Sequence, residues 1–417
     1  MLNHREKTSV LLIDEARNWS VSEVIEAAIN IRGAYSQFKG KAIILALSNK
    51  IEFILWLCAL DGFASKILLA SEDDLVYLND LTQLPQDSAV LVLDSGIKNF
   101  DTNTSLSDIQ LTKWCLLTSG TTAKPKLIAH SLAELSSKVT SGQFGTSLRW
   151  GLLYQQSRFA GLQVILQALL GNGVLVVSKH QQLDEIIKSF VESKVDALSA
   201  TPSYWRRVLM TDSFKSLSLS HITLGGEIVD DIILQQLKLA FPTAKVRHVY
   251  ASTEAGVGFS VRDGKSGFPK ALLVDGQLEV QDGYLWLLGA DVTKNGQRIM
   301  INSGDLVRQD GERIFFLGRE HGVINVGGNK VFPESVETKI RALEDVDDVR
   351  VFAKSNPIMG QLVAADIVPA YKVVDESSFK QHLIAKMRKI LQKHEVPMLL
   401  FFKQEIALSH NTKVTRN

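Results

Sequence analysis

Short apolar runs rich in strand-forming residues alternate with longer amphipathic runs through the first 250 residues, and no other feature constrains the fold as strongly. This alternation is typical of strand-helix units around a mostly parallel sheet and predicts an α/β fold. The predicted strands are residues 42–47, 89–93, 114–117, 174–177, 197–199 and 246–249. The predicted helices include residues 21–31, 51–60, 183–191 and 229–239, and Ser20 with Glu23 fits a capping box for the first of them.

The pattern changes after about residue 264. Residues 277–288 and 306–317 are apolar-alternating runs that fold back about Asp282-Gly283 and Asp310-Gly311, and Asp-Gly is a strong hairpin signal. Beyond Gly318 we expect helices near 334–342 and 379–391 and strands near 349–353, 362–368 and 398–402. We therefore predict a large N-terminal domain, residues 1–318, of βα subdomains plus a β-hairpin region, followed by a small α+β C-terminal domain, residues 319–417.

Charge and cysteine content narrow the class of protein. The 46 Lys and Arg residues against 45 Asp and Glu residues leave a formal net charge of +1, so no overall field favours nucleic acid or an anionic membrane. The two cysteines, Cys58 and Cys115, cannot build a disulfide framework or a Cys-rich zinc site, which fits a reducing cytosol. We find no signal-peptide pattern, and the most apolar stretch, residues 53–60, is far shorter than the roughly 20 residues that cross a bilayer. We expect a cytoplasmic protein without membrane insertion.

The segment from Thr118 to Lys126 is the first that points to chemistry. It follows an apolar strand and contains four hydroxyl side chains, one glycine and two lysines. Such a loop can surround phosphate oxygens with backbone N–H groups, hydroxyl donors and ammonium charge. The glycine spacing differs from that of P-loop enzymes. Composition alone favours an ordinary solvated turn, so the order of the residues must decide between the two interpretations.

That order, Leu-Thr-Ser-Gly-Thr-Thr-Ala-Lys-Pro-Lys, resembles the phosphate-loop signature of the adenylate-forming superfamily of acyl- and aryl-CoA synthetases, adenylation domains and luciferases. Residues 250–254 resemble its Tyr-Gly-x-Thr-Glu, residues 303–305 its Thr-Gly-Asp, residues 318–319 its hinge, residues 324–337 the segment after the hinge, and residues 408–414 its closing stretch. The segments occur in the superfamily's order and cover nearly the whole chain, which is identified as a compact member.

The resemblance implies a two-step reaction. A carboxylate attacks the α-phosphate of ATP to give an acyl-adenylate and pyrophosphate, and a thiol then displaces AMP. The implied cofactors are ATP and Mg²⁺, with CoA or the phosphopantetheine of an acyl carrier protein as co-substrate. The small-molecule partner is a carboxylate, and the protein is expected to be a monomer or a homodimer.

The resemblance also assigns the nucleotide site. The β- and γ-phosphates would be held by Thr118, Ser119, Gly120, Thr121, Thr122 and Lys126. Thr253 would donate to the α-phosphate and Glu254 would ligate Mg²⁺. Asp305 would accept from the ribose hydroxyls, with Arg319 near the ribose or phosphates, and adenine would lie between Tyr250 and the backbone at Gly226 and Glu227. Each of these side chains also has an ordinary structural explanation, most seriously Tyr250 as a core aromatic residue.

The small domain of the superfamily is mobile, and its tail lysine matches Lys413. This lysine would bridge the substrate carboxylate and the α-phosphate when the domain closes, although a frayed tail is the alternative. After rotation about the hinge, Gly327 and Gly328 would leave room for the phosphopantetheine arm. His321 stands where the superfamily most often has a hinge aspartate; it is either a neutral spacer or a titratable group that makes rotation pH-sensitive.

The acyl pocket is the least determined part of the site. Its candidate residues are Arg158, Phe159, Gln163 and Ser252. Arg158 stands where many relatives have a histidine, and it either pairs with a second anionic group of the substrate or with a neighbouring acid. The predicted pocket combines a small number of aromatic residues with small residues and a few polar groups. This composition favours an aryl or short polar acyl acid over a long fatty chain.

Three functions remain open at this point. The first is an AMP-forming carboxylic acid–thiol ligase. The second is an adenylating ligase that passes the acyl group to an amine or only to a carrier protein. The third is a non-catalytic protein that binds a nucleotide or an acyl-adenylate, although the presence of Lys126, Glu254 and Lys413 argues against it.

Overall fold

A computed structural model describes residue 2 and residues 5–15, 17–75, 88–91, 111–118, 126–139, 147–292, 298–356 and 360–407. The predicted phosphate-loop residues Ser119, Gly120, Thr121 and Thr122 lie outside the described residues, and so does Lys413.

The strands are β1 (Val10–Ile13), β2 (Asn18–Ser20), β3 (Ala42–Leu45), β4 (Lys66–Leu69), β5 (Ser88–Leu91), β6 (Lys113–Leu117), β7 (Leu127–Ser131), β8 (Arg149–Leu152), β9 (Val174–Val176), β10 (Ala197–Ala200), β11 (His221–Gly225), β12 (Lys245–Ser252), β13 (Gly256–Val261), β14 (Phe268–Pro269), β15 (Leu278–Gln281), β16 (Tyr284–Val292), β17 (Arg298–Asp310), β18 (Arg313–Arg319), β19 (Ile324–Val326), β20 (Asn329–Val331), β21 (Val346–Asn356), β22 (Gly360–Pro369) and β23 (Leu399–Phe402). The described helices are α1 (Val21–Ala34), α2 (Lys50–Leu60), α3 (Leu132–Ser136), α4 (Phe159–Leu170), α5 (Leu183–Glu192), α6 (Pro202–Met210), α7 (Asp231–Ala240), α8 (Pro333–Arg341) and α9 (Glu376–Ile390).

The largest sheet has eight strands in the order β13-β12-β11-β10-β8-β9-β1-β2. Strands β8 to β12 run parallel, so their carboxyl ends meet at one edge. Helices α5, α6 and α7 cover one face through residues such as Phe190, Trp205 and Leu237, and α4 packs on the other face. Because both faces are covered, β10 is buried along its whole length. The predicted α/β fold class is confirmed.

A second sheet has the order β5-β3-β4-β6-β7, and its last pair is antiparallel. β6 and β7 flank the predicted phosphate loop. The backbone N–H of Thr118 donates to the carbonyl of Lys126 at 2.8 Å, and the backbone N–H of Lys126 donates to Oγ1 of Thr118 at 3.1 Å. These two bonds hold together the two ends of the segment that the superfamily signature covers.

The predicted hairpins form a third sheet, β14-β18-β17-β16-β15. Asp282 and Gly283 connect β15 and β16 with positive φ angles of 51° and 78°, as a two-residue hairpin turn requires. The second hairpin also forms, but its turn is one residue later than predicted. Asp310 pairs with Arg313, so the connecting residues are Gly311 and Glu312.

The remaining strands form a fourth sheet, in which β19 to β23 are covered by α8 and α9. Its core contains Val336, Ile340, Val351 and Leu383, all buried. The strand that contains Gly318 continues through Arg319, and the fourth sheet begins at Ile324. A small α+β part follows the large sheet-containing part, as predicted, while the division into domains at residue 318 stays a prediction.

A buried cluster of charges joins the fourth sheet to the large part of the chain. Asp230, at the start of α7, contacts Arg206 of α6 at 2.5 Å and Arg341 of α8 at 3.2 Å. Arg341 also contacts Asp348 of β21 at 3.0 Å. Each of these four side chains is less than a tenth exposed. We call Arg206, Asp230, Arg341 and Asp348 the buried ion cluster.

Both cysteines are free and buried, Cys58 in α2 and Cys115 in β6. Burial raises the pKa of the Cys58 thiol to about 12 and also raises the pKa of Cys115. Among the helices formed by described residues, none has the length and apolar character that spanning a membrane requires.

Candidate active site

A cavity of about 800 Å³ lies at the carboxyl edge of the eight-stranded sheet and extends along the sheet face that α4 covers. In doubly wound sheets this edge is the usual place for a ligand. The cavity brings together the following predicted residues: Thr118, Lys126, Arg158, Phe159, Gln163, Gly226, Ser252, Thr253, Glu254, Arg319 and His321. Residues far apart in the sequence therefore share one space.

The ends of β11 and β12 form the floor of this space. A side chain at Gly225 would bring its Cβ to 3.4 Å from the carbonyl oxygen of Val249, and Gly226 has a φ of 83°. A Cβ at position 225 would make only an ordinary van der Waals contact, whereas the positive φ favours glycine at position 226. After β12, Oγ of Ser252 accepts from the backbone N–H of Ala255 at 3.1 Å, which closes the turn that presents Thr253 and Glu254.

Glu254 is half-buried at the cavity wall. Its carboxylate accepts no hydrogen bond from any residue in the described part of the chain, and its charge acts on Arg319. Within the same described ranges, no group of three or more His, Cys, Asp or Glu side chains could hold a metal ion. The carboxylate oxygens of Glu254 are therefore available to a ligand. A metal ion bound there would take its other ligands from groups other than a cluster of described His, Cys, Asp or Glu side chains.

Asp305 is 8% exposed, and both of its carboxylate oxygens are engaged. The hydroxyl of Tyr250 donates to Oδ2, and Nε of Arg319 donates to Oδ1 at 3.1 Å. Each carboxylate oxygen can accept a second hydrogen bond. Asp305 is thus fixed in orientation and retains capacity for further donors.

Tyr250 differs from the sequence prediction. Its ring stacks on Phe259 and on Phe316, each with a centroid distance of 5.2 Å, and it does not belong to the cavity lining. Burial, and next the charge of Asp305, raises the pKa of the Tyr250 hydroxyl well above its ordinary value, so this group remains a donor. The structure gives Tyr250 the role of orienting Asp305, and the predicted contact with adenine stays a prediction.

Four more predicted residues lie outside the cavity lining: Asp305, described above, and Glu227, Gly327 and Gly328. Oε2 of Glu227 accepts from the backbone N–H of Ser203 at 3.0 Å, in the first turn of α6. Gly327 and Gly328 connect β19 and β20 with φ angles of 54° and 88°. The two-residue turn itself requires glycine-like conformations, so the backbone explains this pair without a ligand.

Arg158 is held by a neighbouring acid, which was one of its two predicted alternatives. Its Nη2 donates to Oδ1 of Asp74 at 2.8 Å, and its Nε donates to Gln155 at 3.3 Å. Asp74 in turn accepts from the backbone N–H of Ser71 at 2.7 Å. His321 is exposed on a short turn at the cavity rim, and either of its two predicted roles fits that position.

The cavity is strongly cationic although the chain is nearly neutral. The basic side chains in its lining are Lys126, Lys138, Arg158, Arg247, Arg262 and Arg319, whereas Glu254 and Glu320 are its acids. A lining of this sign attracts an anionic ligand such as a nucleotide or a carboxylate.

Comparisons with known proteins agree with this geometry. A family model described as "AMP-binding enzyme" matches residues 89–287. Over that segment the chain is similar to the AMP-binding enzymes of the adenylate-forming superfamily. A 2-succinylbenzoate–CoA ligase of Bacillus pumilus is 22% identical, over 98% of this chain and 94% of that protein. A D-alanine–D-alanyl carrier protein ligase of Staphylococcus haemolyticus is 23% identical, over 83% of this chain and 79% of that protein. A solved structure of an E. coli MenE variant with bound OSB-AMS has a TM-score of 0.75 at 18% identity, over 95% of this chain and 92% of that chain.

Two buried residues support the site without belonging to the motifs quoted above. His130 in β7 is 2% exposed, and its Nε2 donates to the carbonyl of Thr253 at 2.8 Å. The hydroxyl of Tyr154 donates to the carbonyl of Gly225 at 3.2 Å. His130 alternates with Ile128 on the buried face of its strand, so the period-two pattern would have predicted that it points inward.

Proposed function

We propose that this protein belongs to the adenylate-forming superfamily and is an AMP-forming carboxylic acid–thiol ligase. The main support is the cavity at the carboxyl edge of the parallel strands, which is lined by Thr118, Lys126, Thr253, Glu254 and Arg319. The ligase names of the two relatives also support a carbon–sulfur bond-forming activity.

In the proposed first step, the substrate carboxylate attacks the α-phosphate of ATP and pyrophosphate leaves. Negative charge develops around phosphorus and on the leaving group, so fixed cations and oriented donors stabilise the transition state. Lys126 and Thr118 would contact the β- and γ-phosphates, and Thr253 would donate to the α-phosphate. Asp305, held by Tyr250 and Arg319, would accept from the ribose hydroxyls.

The residues fit a magnesium ion that is shared with the phosphates. Glu254 has carboxylate oxygens that no described donor engages, and a hard cation prefers such ligands. The absence of a larger acidic group within the described ranges fits an ion whose other ligands are phosphate oxygens and water. When bound, the ion would neutralise charge on the triphosphate.

We expect Glu254→Gln to raise the Mg²⁺ concentration for half-maximal pyrophosphate release by about tenfold or more, because an amide is a weaker ligand than a carboxylate. A titration of Mg²⁺ at saturating ATP measures this shift. Glu320→Gln is the matched control, since Glu320 also lines the cavity but accepts from the Tyr284 hydroxyl at 2.9 Å. Equal shifts in the two variants would attribute the effect to cavity charge and not to metal ligation.

In the proposed second step, the small C-terminal part rotates about the hinge and a thiol displaces AMP. The thiol belongs to CoA or to the phosphopantetheine of a carrier protein. The recess between α4 and the sheet would hold the acyl group, with Phe159 and Gln163 on the helix and Ser252 at the strand end. Its residue mixture supports a small aryl or short polar acyl acid, and the relative named for 2-succinylbenzoate supports an aryl acid.

Pyrophosphate release on a panel of carboxylic acids, repeated with CoA, with holo carrier protein and with simple amines, tests the proposal. We expect release that depends on the acid, followed by AMP and thioester formation only when a thiol is present. The relative that acts with a D-alanyl carrier protein supports the alternative in which holo carrier protein alone is acylated. Amide formation would favour the amine alternative, and nucleotide binding without turnover would favour a binding protein.

A further inference from the structure

Two arginines lie side by side in the cavity, away from the nucleotide site. Arg247 is in β12, and Arg262 directly follows β13. The antiparallel register pairs His248 with Val261, which brings Arg247 and Arg262 to opposing positions on the neighbouring strands. Both line the cavity.

The position of Arg247 follows from strand geometry. It alternates with Val249 and Ala251 on the face of β12 that lines the cavity. At about 3.3 Å per residue, its Cα lies roughly 16 Å from that of Ser252, where the proposed nucleotide site begins. Phe159, Val164 and Val249 contribute apolar wall to the cavity. A small acid whose carboxylate reacts near Thr253 would therefore extend past apolar side chains toward the two guanidinium groups.

The charge of this pair is not balanced by the part of the protein that the structure describes. Nε of Arg247 donates to Oγ1 of Thr223 at 3.0 Å, and neither arginine forms an ion pair with a described residue. Asp263, the acid next to Arg262, contacts Arg313 at 2.7 Å. Burial, and next the charge of Arg262, lowers the pKa of Arg247. Opposing like charges on adjacent strands destabilise a sheet, and an anion between them would remove that cost.

We propose that Arg247 and Arg262 bind a second carboxylate of the acyl substrate, so that the preferred acid is a diacid with an apolar spacer. This inference rests on the proposed ligase function and names the substrate class of the same site. Arg158, the N-cap residue of α4, does not provide this contact, because Asp74 already engages its guanidinium group at 2.8 Å. The nucleotide phosphates do not reach the pair, because they would lie beyond the strand end at Thr118 and Thr253.

The test compares diacids with monoacids of the same length in which a methyl group replaces the distal carboxylate. Pyrophosphate release gives kcat and KM for each acid with the wild type, Arg247→Met, Arg262→Met and Arg247→Lys. We expect the wild type to prefer diacids. Each methionine variant should raise KM for diacids by about 10- to 100-fold and leave KM for monoacids unchanged, and Arg247→Lys should restore part of the preference.

Arg308→Met is the matched control, because Arg308 is exposed and pairs with Asp310 outside the cavity. Arg262 is itself exposed, so its variant is expected to fold even if the Arg247 variant does not. Equal losses on diacids and monoacids, or a wild type that prefers monoacids, would overturn this inference and leave the ligase function standing. Absence of turnover with every acid, while ATP still binds, would instead overturn the ligase function together with the inference.

Discussion

Lys413→Ala should lower the rate of acyl-adenylate formation by about 10²- to 10³-fold, the usual cost of removing one preorganised transition-state donor. In the proposed mechanism its ammonium group bridges the attacking carboxylate and the α-phosphate, and it does so only when the small C-terminal part is closed. Binding of ATP should change little, because the other proposed contacts to the triphosphate and ribose come from residues outside the C-terminal tail. ATP–pyrophosphate exchange with the best acid measures the first step directly.

A second assay separates this role from general damage. Thioester formation from synthetic acyl-adenylate and the thiol should proceed at the wild-type rate in the Lys413 variant, since that step does not use the lysine. Lys403→Ala is the matched control, because the Lys403 side chain is exposed and its described hydrogen bond is made by the backbone N–H. Exchange at the wild-type rate in Lys413→Ala, or equal loss in both half-reactions, would refute the assignment.

Asp230→Asn should lower the free energy of unfolding by about 3 kcal/mol or more, because it leaves buried arginines without their counter-charge. Asp230 contacts both Arg206 and Arg341, and no other carboxylate contacts both of them in the described part of the chain. Asparagine keeps the volume and can still accept from the backbone N–H of Ile233 at the start of α7. The change therefore removes charge while keeping the helix cap. Urea unfolding followed by circular dichroism gives the free energy.

The pH dependence gives an independent check on the buried ion cluster. Burial alone raises the pKa of the Asp230 carboxyl, but the charges of Arg206 and Arg341 outweigh it and hold that pKa below its ordinary value. A depressed native pKa contributes stability that is fully present above the unfolded pKa of about 3.9 and is lost as the pH falls through the native value. The difference between wild type and Asp230→Asn should therefore shrink below about pH 4.

Asp275→Asn is the control for this experiment, since Asp275 is exposed. We expect its unfolding free energy to match that of the wild type at every pH. A loss in Asp230→Asn that is no larger than in Asp275→Asn would mean that the cluster contributes nothing net to stability.

Local signals in the sequence predicted local structure well. The capping box of α1 forms as expected, with the backbone N–H of Ser20 donating to Glu23 at 2.7 Å. The Asp282-Gly283 turn forms at the predicted residues, because its positive φ angles are a property of those two residue types. In the second hairpin the turn shifts by one residue, since pairing along β17 and β18 sets the register there.

The sequence predicted the residues of the candidate site only where they belong to a recognisable motif. The cavity unites Thr118, Lys126, Thr253 and Glu254, as the resemblance implied. The pairing of Arg158 with Asp74 joins positions 84 residues apart, and no spacing rule could identify that partner. The stacking of Tyr250 on Phe316 likewise depends on contact between two different sheets. The position of Arg247 could have been predicted from its alternation with Val249 and Ala251 along one strand. The superfamily motif covers only the end of that strand and therefore does not include Arg247.

The buried thiols of Cys58 and Cys115 matter for an enzyme that makes an activated acyl group. An acyl-adenylate transfers its acyl group to any accessible thiolate, so a reactive cysteine on the enzyme would trap the product as a self-acylated dead end. Here burial keeps both thiols protonated and shielded at neutral pH. The same property makes the wild-type chain a suitable background for single surface cysteines that carry fluorophores, with which the proposed rotation of the C-terminal part can be tested during turnover.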